Sequence, residues 1–137
     1  MSGARRKARR RAIEVLYEAE VRGITVEDVI ERRRAQPEPP INEFTERLAR
    51  AVDERRARID ELLDEYAIGW TLERMPVVDR NILRMGAHEL LWAEDIPDGV
   101  AIAEAVGVAK ELSTDESPGF ISGLLSRLME NKSTLSL

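Results

Sequence analysis

The sequence predicts an all-α protein of about seven helices, and three observations carry that reading. Apolar residues recur three and four positions apart along nearly the whole chain, the spacing of one helix face. No apolar–polar alternation is long enough for a strand, and no repeat of solenoid period occurs. Between the periodic stretches stand short breakers, "AQPEPPIN" at 35–42 and "DIPDG" at 95–99. Their prolines and glycine are hostile to helix.

The elements follow in order. Ala8, Ala12, Val15, Leu16 and Ala19 form one apolar stripe over residues 4–20, with Gly23 as its stop. Thr25 caps a short acidic helix running to about Arg34, with Val26, Val29 and Ile30 as its apolar face. Asn42 can cap the next helix, where Phe44, Leu48, Ala51 and Val52 repeat. Ile59, Leu62, Leu63, Tyr66 and Ala67 make another stripe, closed by Gly69. "WTLERMP" is then a connector anchored by Trp70.

From Val77 to about Ala93 the chain is apolar on more than one face, which marks the central helix of a bundle. Ile102, Ala105, Val106, Ala109 and Leu112 line the following helix. Ser113 and Glu116 stand at capping-box spacing before a last helix carrying Phe120, Ile121, Leu124, Leu125 and Leu128. "NKSTLSL", residues 131–137, is expected to fray. The expected organisation is a single domain, with an N-terminal helical half over about 4–57 and a C-terminal half over about 58–130.

Composition narrows the chemistry. A chain of 137 residues, 43% hydrophobic and 34% charged, is long enough to bury a core. It holds no cysteine, which removes disulfides, thiolate metal sites and a cysteine nucleophile. No apolar run approaches a membrane span, and the Arg-rich start lacks the apolar segment of a secretory signal. Glu14, Glu18 and Glu20 follow the arginines at once, unlike a mitochondrial presequence, so a cytoplasmic protein is expected. Phosphate-loop, dinucleotide and metalloprotease motifs are absent. His88, the single histidine, has no cysteine or second histidine as co-ligand and reads as a packing or surface residue. Acids near the last helix start, Asp115 and Glu116, read as dipole partners. An enzyme is not expected, nor a metal or cofactor.

Charge points instead to binding. The chain's net charge is −5, yet Arg5, Arg6, Lys7, Arg9, Arg10 and Arg11 occupy its first eleven residues without an acid. The remainder holds 15 basic and 26 acidic residues, a net of −11. A body so acidic repels nucleic acid at long range, so a polyanion site has to be local. At 100° per residue, Arg6, Arg10, Ile13 and Tyr17 share one stripe of the first helix. Because the basic run is phased with an apolar stripe, it reads as phosphate-binding and not as a solvated tail. Tyr17 by itself reads equally well as a core residue. Asp79, Arg80, Arg84 and Glu89 on the central helix read as ordinary solvated pairs.

Four segments together resemble the bacterial transcription antitermination factor NusB family: "RRKARRRAIEVLYEAE" at 5–20, "WTLERMPVVDRNILRMGAHEL" at 70–90, "IPDGVAIAEAVGVAKELS" at 96–113 and "DESPGFISGLL" at 115–125. They keep the family's order and spacing. The resemblance implies two small helical bundles packed together and no catalysis. It implies binding of single-stranded boxA RNA of ribosomal RNA operons together with NusE, a small-subunit ribosomal protein. The assembly helps RNA polymerase pass terminators. On the RNA side the matching residues are Arg5, Arg6, Arg9 and Arg10, then Glu116, Ser117 and Phe120, with Trp70 and Arg74 bordering. On the NusE side they are Tyr17, Glu73, Asp79 and Arg84. Five or six neutralised phosphates would give a salt slope near about −4. The same surfaces could form a homodimer when NusE is absent.

Where the family commonly has an asparagine and a basic residue around the last-helix Phe, this chain has Ser122 and Gly119. A rival reading is a stand-alone rRNA-binding module like those on some rRNA methyltransferases, for whose catalytic part the length leaves no room. Another is a helical protein–protein adaptor with a basic end.

Overall fold

Seven α-helices form in the computed structural model, which describes residues 2–36 and 41–137, and among these residues there is no strand. The prolines of the expected linker, Pro37, Pro39 and Pro40, lie outside the described residues. Helix α1 (Ser2–Arg22) buries Ala8, Ala12, Ile13, Val15, Leu16 and Ala19. It ends where Gly23 takes φ 68°, with Gly23 N donating to Glu20 O and Ile24 N to Ala19 O. Those paired bonds satisfy the last carbonyls, and glycine alone enters the left-handed region without cost.

Helix α2 (Val26–Arg34) starts on Thr25, whose hydroxyl accepts from Asp28 N while the Asp28 side chain accepts from Thr25 N. Helix α3 (Glu43–Glu54) starts on Asn42, whose side chain accepts from Thr45 N at 2.8 Å. Helix α4 (Arg56–Tyr66) follows directly. After a 3-10 turn (Leu72–Arg74) come α5 (Val77–Trp92), α6 (Asp98–Leu112) and α7 (Ser117–Asn131).

Helices α1–α3 pack on one another, α4–α7 do the same, and α5 touches α1, α3, α4, α6 and α7. The two bundles therefore meet on α5, whose residues 81–91 are all buried. One continuous apolar cluster runs through both. Close approach needs a missing side chain at Gly86, where a Cβ would stand 2.7 Å from Leu125 Cδ1 and 3.1 Å from Ala105 Cβ.

Three local expectations are corrected. Trp70 is 39% exposed, and the connector is anchored instead by Leu72 and Met75, both buried. The capping box at Ser113 and Glu116 does not form, because Ser113 Oγ bonds the Asp79 carboxylate and the Glu116 side chain makes no cap. The last residues do not simply fray. Lys132–Thr134 form a 3-10 turn, Lys132 Nζ meets Asp98 Oδ1 at 2.8 Å, and Leu135 packs against the core.

Candidate nucleic-acid and partner interface

The N-terminal arginines are on one helix but in four different settings. Arg5 is exposed, and its guanidinium carbon lies 4.1 Å from the Phe44 ring centroid. Arg6 lays Nε and Nη2 on Glu104 of α6, at 2.9 and 2.8 Å. Gly107 makes room for it, since a Cβ there would come within 2.2 Å of Arg6 Nη1. Arg10 Nη1 reaches Glu111 Oε1 at 3.3 Å, a partly exposed pair.

Arg9 departs from the expectation. It is 5% exposed, with Nε donating to Glu89 Oε1 at 2.8 Å and Nη1 to Glu104 Oε1 at 3.1 Å. The reason is helix phase: Arg9 stands three and four residues before Ala12 and Ile13, so the spacing that buries them buries it too. Its donors there are spent on carboxylates of the protein itself. Burial pushes the Glu89 carboxyl up despite its hydrogen bonds from Arg9. The Arg6 hydrogen bonds hold Glu104 below the usual carboxylate range against a smaller cost of burial, and in return raise Arg6.

The second expected RNA element is only partly accessible. Trp70 and Phe120 meet edge to face with centroids 5.5 Å apart. Arg74 shares with Trp70 a surface hollow of about 270 Å³, and Glu116 is exposed. Ser117, however, is buried and donates to Asp79 Oδ2 at 2.7 Å. Glu89 and Asp79 are ten residues apart on α5, about 15 Å along its axis. The arginine end of α1 and the start of α7 thus lie toward opposite ends of that helix.

On the expected partner side the structure again divides the residues. Tyr17 is 40% exposed and lines a groove of about 440 Å³ with Ile13, Val21, Val78 and Leu112, rimmed by Glu14, Glu18, Arg22 and Arg33. Glu73 is exposed on the 3-10 turn. Asp79 and Arg84 are not surface residues: both are almost wholly buried. Asp79 gathers Ser113 and Ser117, tying the α6–α7 turn to α5. Arg84 places Nε and Nη2 on Asp60 at 2.8 and 3.0 Å and Nη1 on Glu20 at 2.8 Å. Burial opposes the Glu20 charge, yet hydrogen bonds from Arg80, Asn81 and Arg84 hold its pKa below the usual value. Asp79 and Arg84 can shape a partner surface by bracing it, which differs from touching it.

Sequence reasoning missed the acids that hold the arginines. Glu89, Glu104 and Glu111 lie 80 to 101 residues from their partners, so no local pattern pairs them. Glu104 and Glu111 are seven apart on α6, a spacing that puts both on one face, and that was the available signal. In the sequence Phe44 is only one member of an apolar stripe. Among the described residues no group of three or more His, Cys, Asp or Glu could hold a metal. No helix there is long and apolar enough to cross a membrane.

Comparison with known proteins bears on this arrangement. The NusB family model matches residues 6–130. The transcription antitermination protein NusB of Thermobifida fusca (strain YX) is 78% identical over 135 residues, covering 98% of this chain and 95% of its own length. Among solved structures, T. maritima NusB is 33% identical with a TM-score of 0.79, covering 96% of this chain and 97% of that one. A crystal structure of antitermination factors NusB and NusE in complex with dsRNA contains a chain of the same fold. It is 24% identical with a TM-score of 0.76 and covers 95% of this chain and 98% of that one.

Proposed function

This chain belongs to the NusB family of transcription antitermination proteins, and from that premise we propose that it binds boxA RNA of ribosomal RNA operons jointly with NusE. In this reading it catalyses nothing. It raises the local concentration of the RNA beside polymerase and so helps polymerase pass terminators in the cytoplasm.

The observation that carries the reading is the exposed end of α1. Arg5 presents its whole donor edge, and Arg6 and Arg10, each with a side chain about one-third exposed, keep N–H groups beyond those used on Glu104 and Glu111. Phosphate oxygens suit those planar forks. Trp70 and Phe120 offer aromatic edges for bases of the same strand. NusE is assigned to the Tyr17 groove, whose apolar floor and mixed-charge rim fit a protein surface.

With Arg9 internal, the accessible phosphate contacts come to Arg5, Arg6, Arg10 and Arg74. Log affinity should then fall with log salt at a slope of about −3, at roughly −0.7 per contact. The test is fluorescence anisotropy with a short boxA RNA and a scrambled control, with and without NusE, over a salt series. The wild type is compared with Arg6→Ala/Arg10→Ala. Preference for boxA, strengthened by NusE and lost in the variant, is the expected result. Equal binding to both RNAs at all salt concentrations would sink the reading.

A further inference from the structure

We propose that Phe44 of α3 is a positioning residue for RNA binding, its ring holding the Arg5 guanidinium so that the N–H edge stands ready for a phosphate. The inference rests on the RNA-binding reading above and adds α3 to a surface so far built from α1 and the α7 end.

Arg5 differs from its neighbours. Among the described residues Arg6, Arg9 and Arg10 each have a carboxylate partner, whereas Arg5 has none and lies on the aromatic ring instead. A carboxylate occupies N–H donors, but a ring engages the π face of the guanidinium and leaves all five N–H groups in its plane open. Arg5 is therefore held and unspent at once. A long side chain on an exposed helix face loses rotamer freedom when it captures a phosphate, and stacking removes part of that freedom in advance.

The platform is itself fixed. Asn42 caps α3 two residues earlier. Thr45, the next residue, donates its hydroxyl to the Ala8 carbonyl of α1 at 2.9 Å. The start of α3 is thus fastened to the turn of α1 that follows Arg5. Phe44 packs against the core, and its centroid lies 5.5 Å from the guanidinium carbon of Arg9, whose Nε donates to Glu89. The Arg5 stack is the outward end of a chain of contacts that begins inside.

The test compares Phe44→Leu, Phe44→Tyr, Arg5→Ala and the Arg5→Ala/Phe44→Leu double variant by anisotropy with boxA RNA, scrambled RNA and a salt series. Leucine keeps most of the apolar packing and removes the ring. Phe44→Leu should weaken boxA binding about threefold, the scale of one cation–π contact, with an unchanged salt slope. Arg5→Ala should weaken it further and flatten the slope by about 0.7. Phe44→Leu added to Arg5→Ala should cost nothing more, and Phe44→Tyr should bind like wild type. In the RNA-free protein, the Arg5 side-chain protons should show an upfield ring-current shift by NMR that Phe44→Leu abolishes.

Equal losses from Phe44→Leu in both backgrounds would overturn the proposal, as would no loss in either or the absence of that shift. If Arg5→Ala is silent while boxA preference persists, this inference alone falls. If the wild type does not prefer boxA, the RNA-binding reading falls and takes the inference with it.

Discussion

Acidification should weaken this protein through His88. That residue is 8% exposed on α5, its ring stacked on Trp92 with centroids 6.3 Å apart, and its Nδ1 has no hydrogen-bond partner. Burial, with the positive charge of Arg55 second, pushes its pKa down to about 4 from an ordinary 6.5. The folded chain therefore binds fewer protons than the unfolded chain between those values. Stability is whole above the unfolded pKa and falls as pH drops through the window. The full effect is about 3 kcal/mol, reached below the folded pKa, and the share lost between pH 7.5 and pH 5.5 is about 1 kcal/mol.

Other groups act differently over the same range. Glu89, held up by burial, binds more protons folded than unfolded and so offsets part of the loss. Glu20 and Glu104, held down, lose their contribution only in more acid solution. Comparing the wild type with His88→Phe cancels these shared contributions. Urea unfolding followed by circular dichroism at both pH values is the assay. The wild type should lose about 1 kcal/mol more than the variant, a midpoint difference of somewhat under 1 M urea at an m-value of about 1.5 kcal/mol per molar. Equal losses in the two proteins would refute the argument.

Four further outcomes are expected. Arg9→Met should cost about 3 kcal/mol at pH 7.5, because Glu89 loses the charge partner of its buried carboxylate, and less as pH falls, since burial already pushes that carboxyl up; a pH-independent cost in urea unfolding would contradict this. Gly86→Ala should destabilise by about 1 kcal/mol, since overpacking against Leu125 outweighs the helix-propensity gain; a net gain in melting temperature would rule that out. Gly107→Ala should leave stability unchanged or raise it by up to about 1 kcal/mol, yet displace Arg6 and lower boxA affinity as much as Arg6→Ala does. Unaltered RNA binding there would mean the seat over Gly107 is not what RNA meets. Tyr17→Ala should weaken NusE binding about tenfold or more by calorimetry without lowering the melting temperature; unchanged affinity would remove the groove from the partner surface.

What could be read from the sequence was mostly what is local. Gly23, Thr25 and Asn42 bound their helices as their chemistry predicts, because a cap is settled within four residues. The all-round apolar run of α5 announced a central helix for the same reason. Trp70 shows that size does not set depth, since the smaller Leu72 and Met75 are the buried residues of that turn. At Ser113 a long-range acceptor, Asp79, outcompeted the local cap. The candidate site was less legible than the fold. The basic run was plain, but helix phase alone could have set Arg9 apart from Arg5, Arg6 and Arg10. Their acidic and aromatic companions come from α3, α5 and α6, and only folding brings them in.

Helix α1 is a continuous rod with neither glycine nor proline between Ala4 and Arg22. It is clamped to α5 at two points, by Arg9 on Glu89 and by Glu20 on Arg80 and Arg84. Arg10 and Tyr17 are two turns apart on it, about 10 Å. Whatever rests on one is held at a set interval from whatever rests on the other, with no joint between them to bend. Two occupants would abut along the rod, and each would form part of the other's binding surface. Cooperation between them then needs no change of shape, only a ruler of the right length.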